Sequence, residues 1–309
     1  MTSASGMAAG PIMPDPKAEA RHQPQVEETA NGIPLVNITA PSSGGVSRNE
    51  YETFNVPDKG VILNNSYTLS KTELAGYVQG NNNMAERPAK IIVNEVTGAG
   101  STSMDGFLEV AGNRADVVIA NPNGITVNGG GFINTGKAFL TTGKPVYDGE
   151  DHLQRFDITG GDILIEGKGL GGKETGSLAI LSRAVKINAG IWAKDLHITT
   201  GANTVDAKTL EASTIEGKGG RPAFALDTAA IGGMYAGRIT LVGTEKGLGV
   251  NNSGIWSAED NLTLDWNGDL KNSGTIYSKG NTDLRASHLE NDKTCLLYTS
   301  DAADDLTRV

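Results

Sequence analysis

The chain has 309 residues with 41 glycines, 5% aromatic residues and a formal net charge of -10. This length suits one elongated domain or two compact ones, and the scarcity of large rings favours a core of stacked Val, Ile and Leu. The acidic balance and scattered basic residues exclude a footprint for nucleic acid, and the single Cys295 excludes an internal disulfide framework.

The first 31 residues are rich in Ala, Pro, Glu and Gln and contain almost no β-branched residues. This composition favours an extended or disordered leader, so we predict no fold for residues 1–31. The N-terminus lacks a basic stretch followed by an apolar run, and no apolar run approaches about 18 residues. The sequence as it stands therefore predicts neither a signal peptide nor a transmembrane segment.

Short β-strands are predicted from residue 32 onward. Apolar and β-branched runs end at Asn or Gly and are separated by Gly, Ser and Pro, which is typical of strands followed by turns. No helical period competes with this pattern. The first runs cover residues 33–38, 51–56, 61–64, 91–93, 117–119 and 125–127.

The tetrapeptide Asn121-Pro122-Asn123-Gly124 lies between two of these runs. Proline fixes φ and lacks an N–H group, and the Asn-Gly pair tolerates left-handed backbone, so a tight turn is predicted here. Taken alone, the tetrapeptide needs no function beyond the turn.

Several motifs around this turn match one protein family in the same order. They are NEVTG at 94–98, EVAG at 109–112, ANPNGITVNGGGFINT at 120–135 and LTTG at 140–143. With them the chain resembles the N-terminal secretion domain of the two-partner secretion exoproteins. These include filamentous haemagglutinin-like adhesins, haemolysins and contact-dependent inhibition proteins. The resemblance implies a capped domain, and it implies a secretion or partner-recognition motif at Asn121, Pro122, Asn123 and Gly124.

The chain departs from the family pattern at two places. The first is a degraded second motif made up of Asn81, Asn82, Asn83 and Met84, where the family usually has Asn-Pro-Asn-Leu. This turn lacks the φ angle that proline would preset. At the second, Val127 and Gly130 stand where many members have a cysteine pair, so backbone hydrogen bonds must hold that turn.

Internal repeats become visible in the C-terminal third. A unit that begins at Asn252 recurs 20 residues later at Asn272, and a weaker copy at Asn188 places Trp192 and Trp256 at equivalent positions. A period of about 20 residues with short strands is typical of a solenoid, and aligned Asn side chains can form ladders. We predict an all-β, right-handed parallel β-helix with an N-terminal cap. The alternatives are an antiparallel sandwich and a β-propeller.

Three segments richer in polar residues interrupt the strand rhythm, and we predict protruding loops or hairpins at 141–154, 168–175 and 202–221. The segment 295–309 resembles the translation of a transposase sequencing adapter, and the alternative is a genuine acidic tail. We therefore expect the natural chain to continue beyond about residue 294. The predicted domains are the leader at 1–31, the secretion domain at 32–250, the first repeats at 251–294 and the adapter-derived segment at 295–309.

A parallel β-helix is also the scaffold of polysaccharide-degrading enzymes, which need converging carboxylates. The densest acidic run, at 148–151 beside His152, is interpreted as a solvated loop. The four histidines show no metal-ligand spacing, and we interpret Trp192 and Trp256 as stacked side chains rather than sugar platforms. The sequence predicts no catalytic residue, cofactor or metal.

The leading hypothesis is a non-enzymatic secretion domain at the front of a large Gram-negative exoprotein, either an adhesin or a contact-dependent toxin. The resemblance implies recognition in the periplasm by an outer-membrane transporter of the TpsB type, through its POTRA domains, and translocation to the cell surface. Downstream regions would contact a host or neighbouring cell, and no nucleic acid is expected as a partner. The alternatives are a polysaccharide-degrading β-helix enzyme and a freestanding surface adhesin.

Overall fold

The computed structural model describes residues 10–85, 87–292 and 296–299. These residues form 33 strands and two short 3₁₀ helices, Ala20–His22 and Asn82–Met84. Neither helix has the length or the apolar character to span a bilayer. In chain order the strands are β1 (Ile12–Pro14), β2 (Gln25–Glu28), β3 (Pro34–Asn37), β4 (Val46–Phe54), β5 (Val61–Asn65), β6 (Ser70–Thr72), β7 (Gly76–Val78), β8 (Ile91–Val96), β9 (Thr102–Met104), β10 (Phe107–Gly112), β11 (Ala115–Ala120), β12 (Ile125–Val127), β13 (Gly130–Ile133), β14 (Thr135–Thr141), β15 (Lys144–Tyr147), β16 (Leu153–Ile158), β17 (Asp162–Ile165), β18 (Leu170–Gly172), β19 (Ser177–Ser182), β20 (Ala184–Ile187), β21 (Gly190–Thr200), β22 (Asn203–Asp206), β23 (Ala212–Thr214), β24 (Phe224–Thr228), β25 (Gly233–Gly243), β26 (Gly249–Asn252), β27 (Ile255–Ala258), β28 (Leu262–Trp266), β29 (Asp269–Asn272), β30 (Thr275–Ser278), β31 (Thr282–Arg285), β32 (His288–Asn291) and β33 (Leu296–Thr299).

Most strands wind into a right-handed parallel β-helix with three faces, as the repeats predict. Each full turn contributes one strand to each face. Face 1 contains β5, β10, β13, β18, the first half of β21 and of β25, β27, β30 and β33. Face 2 contains β4, β8, β11, β14, β19, the second half of β21 and of β25, β28 and β31. Face 3 contains β9, β12, β17, β20, β24, β26, β29 and β32.

The interior of the β-helix is filled by columns of aliphatic side chains. Successive strands of a face are in register, so a residue in one turn packs on its counterpart in the next. This stacking replaces the large aromatic rings that the composition lacks, as predicted. One column on face 2 consists of Ile92, Val117, Ala138, Leu178, Leu196, Ile239 and Leu262, all buried.

The N-terminal end of the β-helix is capped by residues that we predicted to have no fold. Strand β1 pairs antiparallel with β4, and β2 pairs antiparallel with β3. Ile12 is buried in the main core, and Val26 packs against it. The leader prediction is therefore wrong for residues 12–28, because a few apolar residues anchor a segment whose average composition is polar. Residues 1–9 of that predicted leader lie outside the described residues.

Two sets of antiparallel strands lie outside the β-helix. Strands β15, β16, β22 and β23 form a sheet over the outer side of face 2, where Phe156 and Val205 pack against Phe139. The hairpin of β6 and β7 covers part of face 1. The protrusions predicted at 141–154 and 202–221 belong to the four-stranded sheet. The one predicted at 168–175 is wrong, because it contains β18, a strand of face 1.

The asparagine ladder predicted for the C-terminal repeats is present. Asn252 Nδ2 donates to Asn272 Oδ1 at 2.8 Å, and Asn272 Nδ2 donates to Asn291 Oδ1 at 2.7 Å. Beyond this ladder, Cys295 and residues 300–309 of the predicted adapter-derived segment lie outside the described residues, whereas β33 pairs with β30. The boundaries at 250 and 294 stay predictions.

The equivalence predicted for the two tryptophans is wrong by one residue. Trp192 lies in register with Tyr235, and the two rings stack with centroids 6.0 Å apart on the outside of face 1. Trp256 lies in register with Met234 and is fully buried in the core. Because side chains alternate between the two sides of a strand, a shift of one residue moves a ring from one side to the other.

Candidate functional site

The tetrapeptide at 121–124 forms the predicted turn at the corner where the chain passes from β11 on face 2 to β12 on face 3. The Gly124 N–H donates to the Asn121 carbonyl oxygen at 3.1 Å and closes the turn. Gly124 has φ of +110°, a conformation that favours glycine. Asn121 and Gly124, the first and last residues of the tetrapeptide, therefore each have a structural role in forming the turn.

Asn121 is completely buried and joins three pieces of chain. Its Nδ2 donates to the Gly100 carbonyl oxygen at 2.9 Å and to Thr102 Oγ1 at 3.0 Å, and its Oδ1 accepts the Asn123 N–H at 2.9 Å. Its own backbone N–H donates to the Thr141 carbonyl oxygen at 2.9 Å. Asn121 is thus the anchor of the turn rather than part of its surface.

Pro122 and Asn123, by contrast, are exposed. Asn123 Nδ2 donates to the Gly98 carbonyl oxygen at 2.8 Å, which fixes the amide over the segment before β9. The turn therefore exposes the Pro122 ring and a hydrogen-bonded Asn123 to solvent, whereas Asn121 is buried.

The second motif, at 81–84, makes a similar turn without proline. Asn81 is buried, and its Oδ1 accepts the Asn83 N–H at 3.0 Å. Its Nδ2 donates to the carbonyl oxygens of Ile38 and Asn64, both at 2.9 Å. Met84 is buried in the main core, while Asn82 is exposed. The motif is altered in sequence but intact in geometry.

The two turns lie at different corners of the β-helix and do not form one site. The turn at 81–84 leads into β8, between faces 1 and 2, whereas the turn at 121–124 joins faces 2 and 3. The residues that anchor the latter, Gly98, Gly100 and Thr102, were missed by sequence reasoning. The motif NEVTG, which ends at Gly98, was the sequence signal that pointed to this segment.

The turn without cysteines, between β12 and β13, is held as predicted by backbone hydrogen bonds. The N–H groups of Asn128 and Gly129 donate to the carbonyl oxygens of Met104 and Gly169 at 2.9 and 2.8 Å. A Cβ added at Gly130 would lie 2.5 Å from Met104 Cγ. Met104 therefore occupies the space that a side chain at position 130 would need.

The acidic run at 148–151 forms the tip of the hairpin between β15 and β16. Asp148 accepts the His152 N–H and the Glu150 N–H, each at 2.9 Å, and these hydrogen bonds, with the His152 ring, lower the pKa of Asp148. Asp151 pairs with Arg21 at 2.8 Å. Within the described ranges, no group of three or more His, Cys, Asp or Glu is arranged to hold a metal ion.

A buried ionic cluster near this tip was not predicted. Arg48 lies at its centre, with Nη2 2.8 Å from Glu50 Oε1 and its guanidinium carbon 4.3 Å from the centroid of the Tyr147 ring. Glu95 and His22 complete it from β8 and from the cap. No local sequence motif indicates the cluster, because its members lie far apart in the chain: His22 and Tyr147 are separated by 147 − 22 = 125 residues.

The three faces, the buried aliphatic core and the N-terminal cap define a domain of the parallel β-helix class. Residues 11–276 match the model of the family described as the TPS secretion domain, and the chain belongs to this family. The resemblance inferred from the motifs is thereby confirmed. Members are secreted or cell-surface proteins of Gram-negative bacteria that are exported with a transporter partner.

Relatives and a solved structure support the same assignment. The toxin CdiA of Yersinia pestis is 43% identical over 304 residues, which cover 91% of this chain and 9% of that protein. The 16S rRNA endonuclease CdiA of Enterobacter cloacae is 44% identical over 272 residues, which cover 85% of this chain and 8% of that protein. The crystal structure of the filamentous hemagglutinin secretion domain matches with a TM-score of 0.79 at 31% identity, covering 94% of this chain and 100% of that one. The chain thus spans less than a tenth of these curated relatives.

Proposed function

We propose that this domain directs the export of a long exoprotein and that an outer-membrane transporter recognises its turn at 121–124. The POTRA domains of the transporter would engage the turn in the periplasm, before the chain passes to the cell surface. Family membership supports the general role. The observation that carries the specific proposal is the division within the turn between a buried Asn121 and exposed Pro122 and Asn123.

This division suits a recognition element for a physical reason. Asn121 and the Asn123 amide fix the turn through hydrogen bonds to three neighbouring carbonyl or hydroxyl groups. A surface that is already ordered loses little conformational entropy when a partner binds it. Proline adds to this effect because its ring is rigid, so a partner can bury it with almost no loss of side-chain entropy.

The activity of the whole protein is proposed from the names of its relatives. The two relatives named above are CdiA proteins, one named as a toxin and one as an endonuclease, and this chain spans only a small share of each. We propose that this chain is the front of such a toxin and that the toxic activity resides in a region downstream. The match to a hemagglutinin domain favours an adhesin as the second candidate.

Secretion of the full chain tests the recognition proposal. The chain, fused to a signal peptide, is produced with its outer-membrane transporter, and the protein in the medium is quantified. Pro122→Lys changes the exposed surface and leaves the Asn121 anchor in place. We expect it to reduce secretion by about tenfold or more, which corresponds to about 1.4 kcal/mol of lost recognition.

Asn82→Lys is the matched control, because it introduces the same side chain at the same exposed position of the other turn. It should be secreted like the parent. Urea unfolding of both purified variants shows whether either has lost stability. Equal secretion of Pro122→Lys and the parent would overturn the proposal that this turn is recognised. Secretion of the parent without the transporter would overturn the proposal that the transporter is its export partner.

A further inference from the structure

The buried ionic cluster ties three separate parts of the domain together. The cap, the first strands of face 2 and the hairpin of β15 and β16 meet at this point. Its members are His22 of the cap, Arg48 and Glu50 of β4, Glu95 of β8, and Tyr147 and Asp151 of the hairpin. The cluster is therefore a junction, and its electrostatic balance bears on how firmly the hairpin is held.

Arg48 faces three carboxylates at unequal distances. Its Nη2 lies 2.8 Å from Glu50 Oε1, its Nη1 lies 3.6 Å from Asp151 Oδ1, and its Nε lies 3.9 Å from Glu95 Oε2. The last two distances are beyond a normal hydrogen bond. Of the three carboxylates, Glu50 therefore interacts most strongly with the guanidinium, and Glu95 most weakly.

Glu95 is placed where its negative charge is poorly compensated. It lies in register with Glu50 on the neighbouring strand, so the two carboxylates leave the sheet side by side. The Glu95 side chain is 6% exposed, and its Oε2 accepts no hydrogen bond from any described residue. Burial of an oxygen without a hydrogen-bond donor, next to a like charge, favours the neutral acid.

His22 and Asp151 contact groups other than Glu95. His22 Nδ1 lies 3.1 Å from Glu50 Oε1, and its Nε2 lies 3.8 Å from Asp151 Oδ2. Arg21 Nη1 lies 2.8 Å from Asp151 and its Nε lies 2.8 Å from Glu19. From the hairpin, Lys144 acts on Glu95 through its charge, and Tyr147 contributes a buried phenol.

We propose that Glu95 is a proton-dependent latch: the neutral acid holds the hairpin of β15 and β16 against face 2 and the cap, and loss of its proton loosens this junction. A charge at Glu95 would add a third buried carboxylate to a site centred on one guanidinium. Opening the hairpin gives that charge access to water, which the closed junction denies it.

The direction of the pH dependence follows from the same geometry. Burial, in the first place, raises the pKa of Glu95 from 4.5 to about 7, with Arg48 opposing, Glu50 adding to the rise and Lys144 opposing. A pKa that is higher in the closed state favours closure at low pH. The stabilisation is complete below about pH 4.5 and is lost as the pH rises through about 7.

Hydrogen exchange of backbone amides from pH 5 to 9, corrected for intrinsic exchange, tests the latch in the full chain. Protection of the amides in β15 and β16 should fall as the pH rises towards 7, by up to about tenfold per pH unit. Protection in β25 should stay constant, which shows that the opening is local. Glu95→Gln cannot ionise and should keep the hairpin protected at every pH.

Glu109→Gln is the matched control, because Glu109 is a buried carboxyl that holds the other hairpin through the Glu73 and Leu74 N–H groups. It should leave the pH profile of β15 and β16 unchanged. A second variant, Glu50→Gln, removes the neighbouring charge and should shift the loss of protection to lower pH. A hairpin whose protection does not depend on pH in the parent, or a Glu50→Gln profile identical to that of the parent, would overturn the latch.

Discussion

The two asparagine turns at 81–84 and 121–124 have the same hydrogen bonds on different sequences. In both, the first Asn is buried, and its side-chain oxygen accepts the N–H of the third residue. In both, the fourth N–H donates to the first carbonyl oxygen at 3.1 Å. In each turn, the Nδ2 of the first Asn donates two hydrogen bonds to neighbouring chain segments.

The differences lie at the second and fourth positions. The second residue is exposed in both turns and is Asn82 in one and Pro122 in the other. The fourth is Met84, buried in the core, or Gly124 with a positive φ. The turn at 81–84 shows that the first Asn sets this geometry without proline. Proline is therefore not required for the hydrogen bonds that define this turn.

The fourth position separates the two turns most strongly. Met84→Ala should lower the free energy of unfolding by about 2–5 kcal/mol, because it removes a fully buried side chain and leaves a cavity in the core. Urea unfolding followed by circular dichroism measures the loss.

Gly124→Ala is the counterpart in the other turn, and its expected cost of about 1–3 kcal/mol arises from backbone strain at positive φ rather than from a cavity. Met84→Leu, which keeps most of the buried volume, should cost less than about 1.5 kcal/mol. A loss for Met84→Leu as large as that for Met84→Ala would show that the side-chain volume is not what anchors this turn.

The first position should behave alike in both turns. Asn121→Ala and Asn81→Ala each leave buried donors and acceptors without their partner, so each should cost about 2–3 kcal/mol in unfolding free energy. Asn123→Ala, at an exposed position, should cost about 1 kcal/mol or less. If Asn121→Ala were tolerated as well as Asn123→Ala, the buried anchor would not define the turn.

The fold could be predicted because the repeating strands and turns of a β-helix produce recognisable local sequence patterns. Each turn of the solenoid repeats short strands that end at Asn or Gly, and the spacing from Asn252 to Asn272 is one full turn of the helix. The motif at 121–124 was found in the same way. Local chemistry, a proline and two asparagines, was enough to place a turn between strands.

Features that depend on strand register were not predictable. Glu50 and Glu95 form a pair only because β4 and β8 align, although 45 residues separate them in the chain. The two tryptophans show how little error is tolerated, since a one-residue offset puts Trp256 in the core and Trp192 outside. A cap was predicted, but its strands β1 and β2 were missed for a related reason, because they are defined by their partners β4 and β3 rather than by their own composition.

The smallest expected effect tests whether proline is interchangeable between the turns. Asn82 begins a 3₁₀ helix, where proline fits, and Asn81 before it has φ of -88° and ψ of 115°, which a following proline favours. Asn82→Pro should therefore raise the free energy of unfolding by about 0.4–1 kcal/mol, and Pro122→Ala should lower it by a similar amount. Urea unfolding midpoints at constant m-value measure both. A loss of stability in Asn82→Pro would mean that the two turns share hydrogen bonds but not backbone angles, and the proline of the 121–124 turn would then need no partner to explain it.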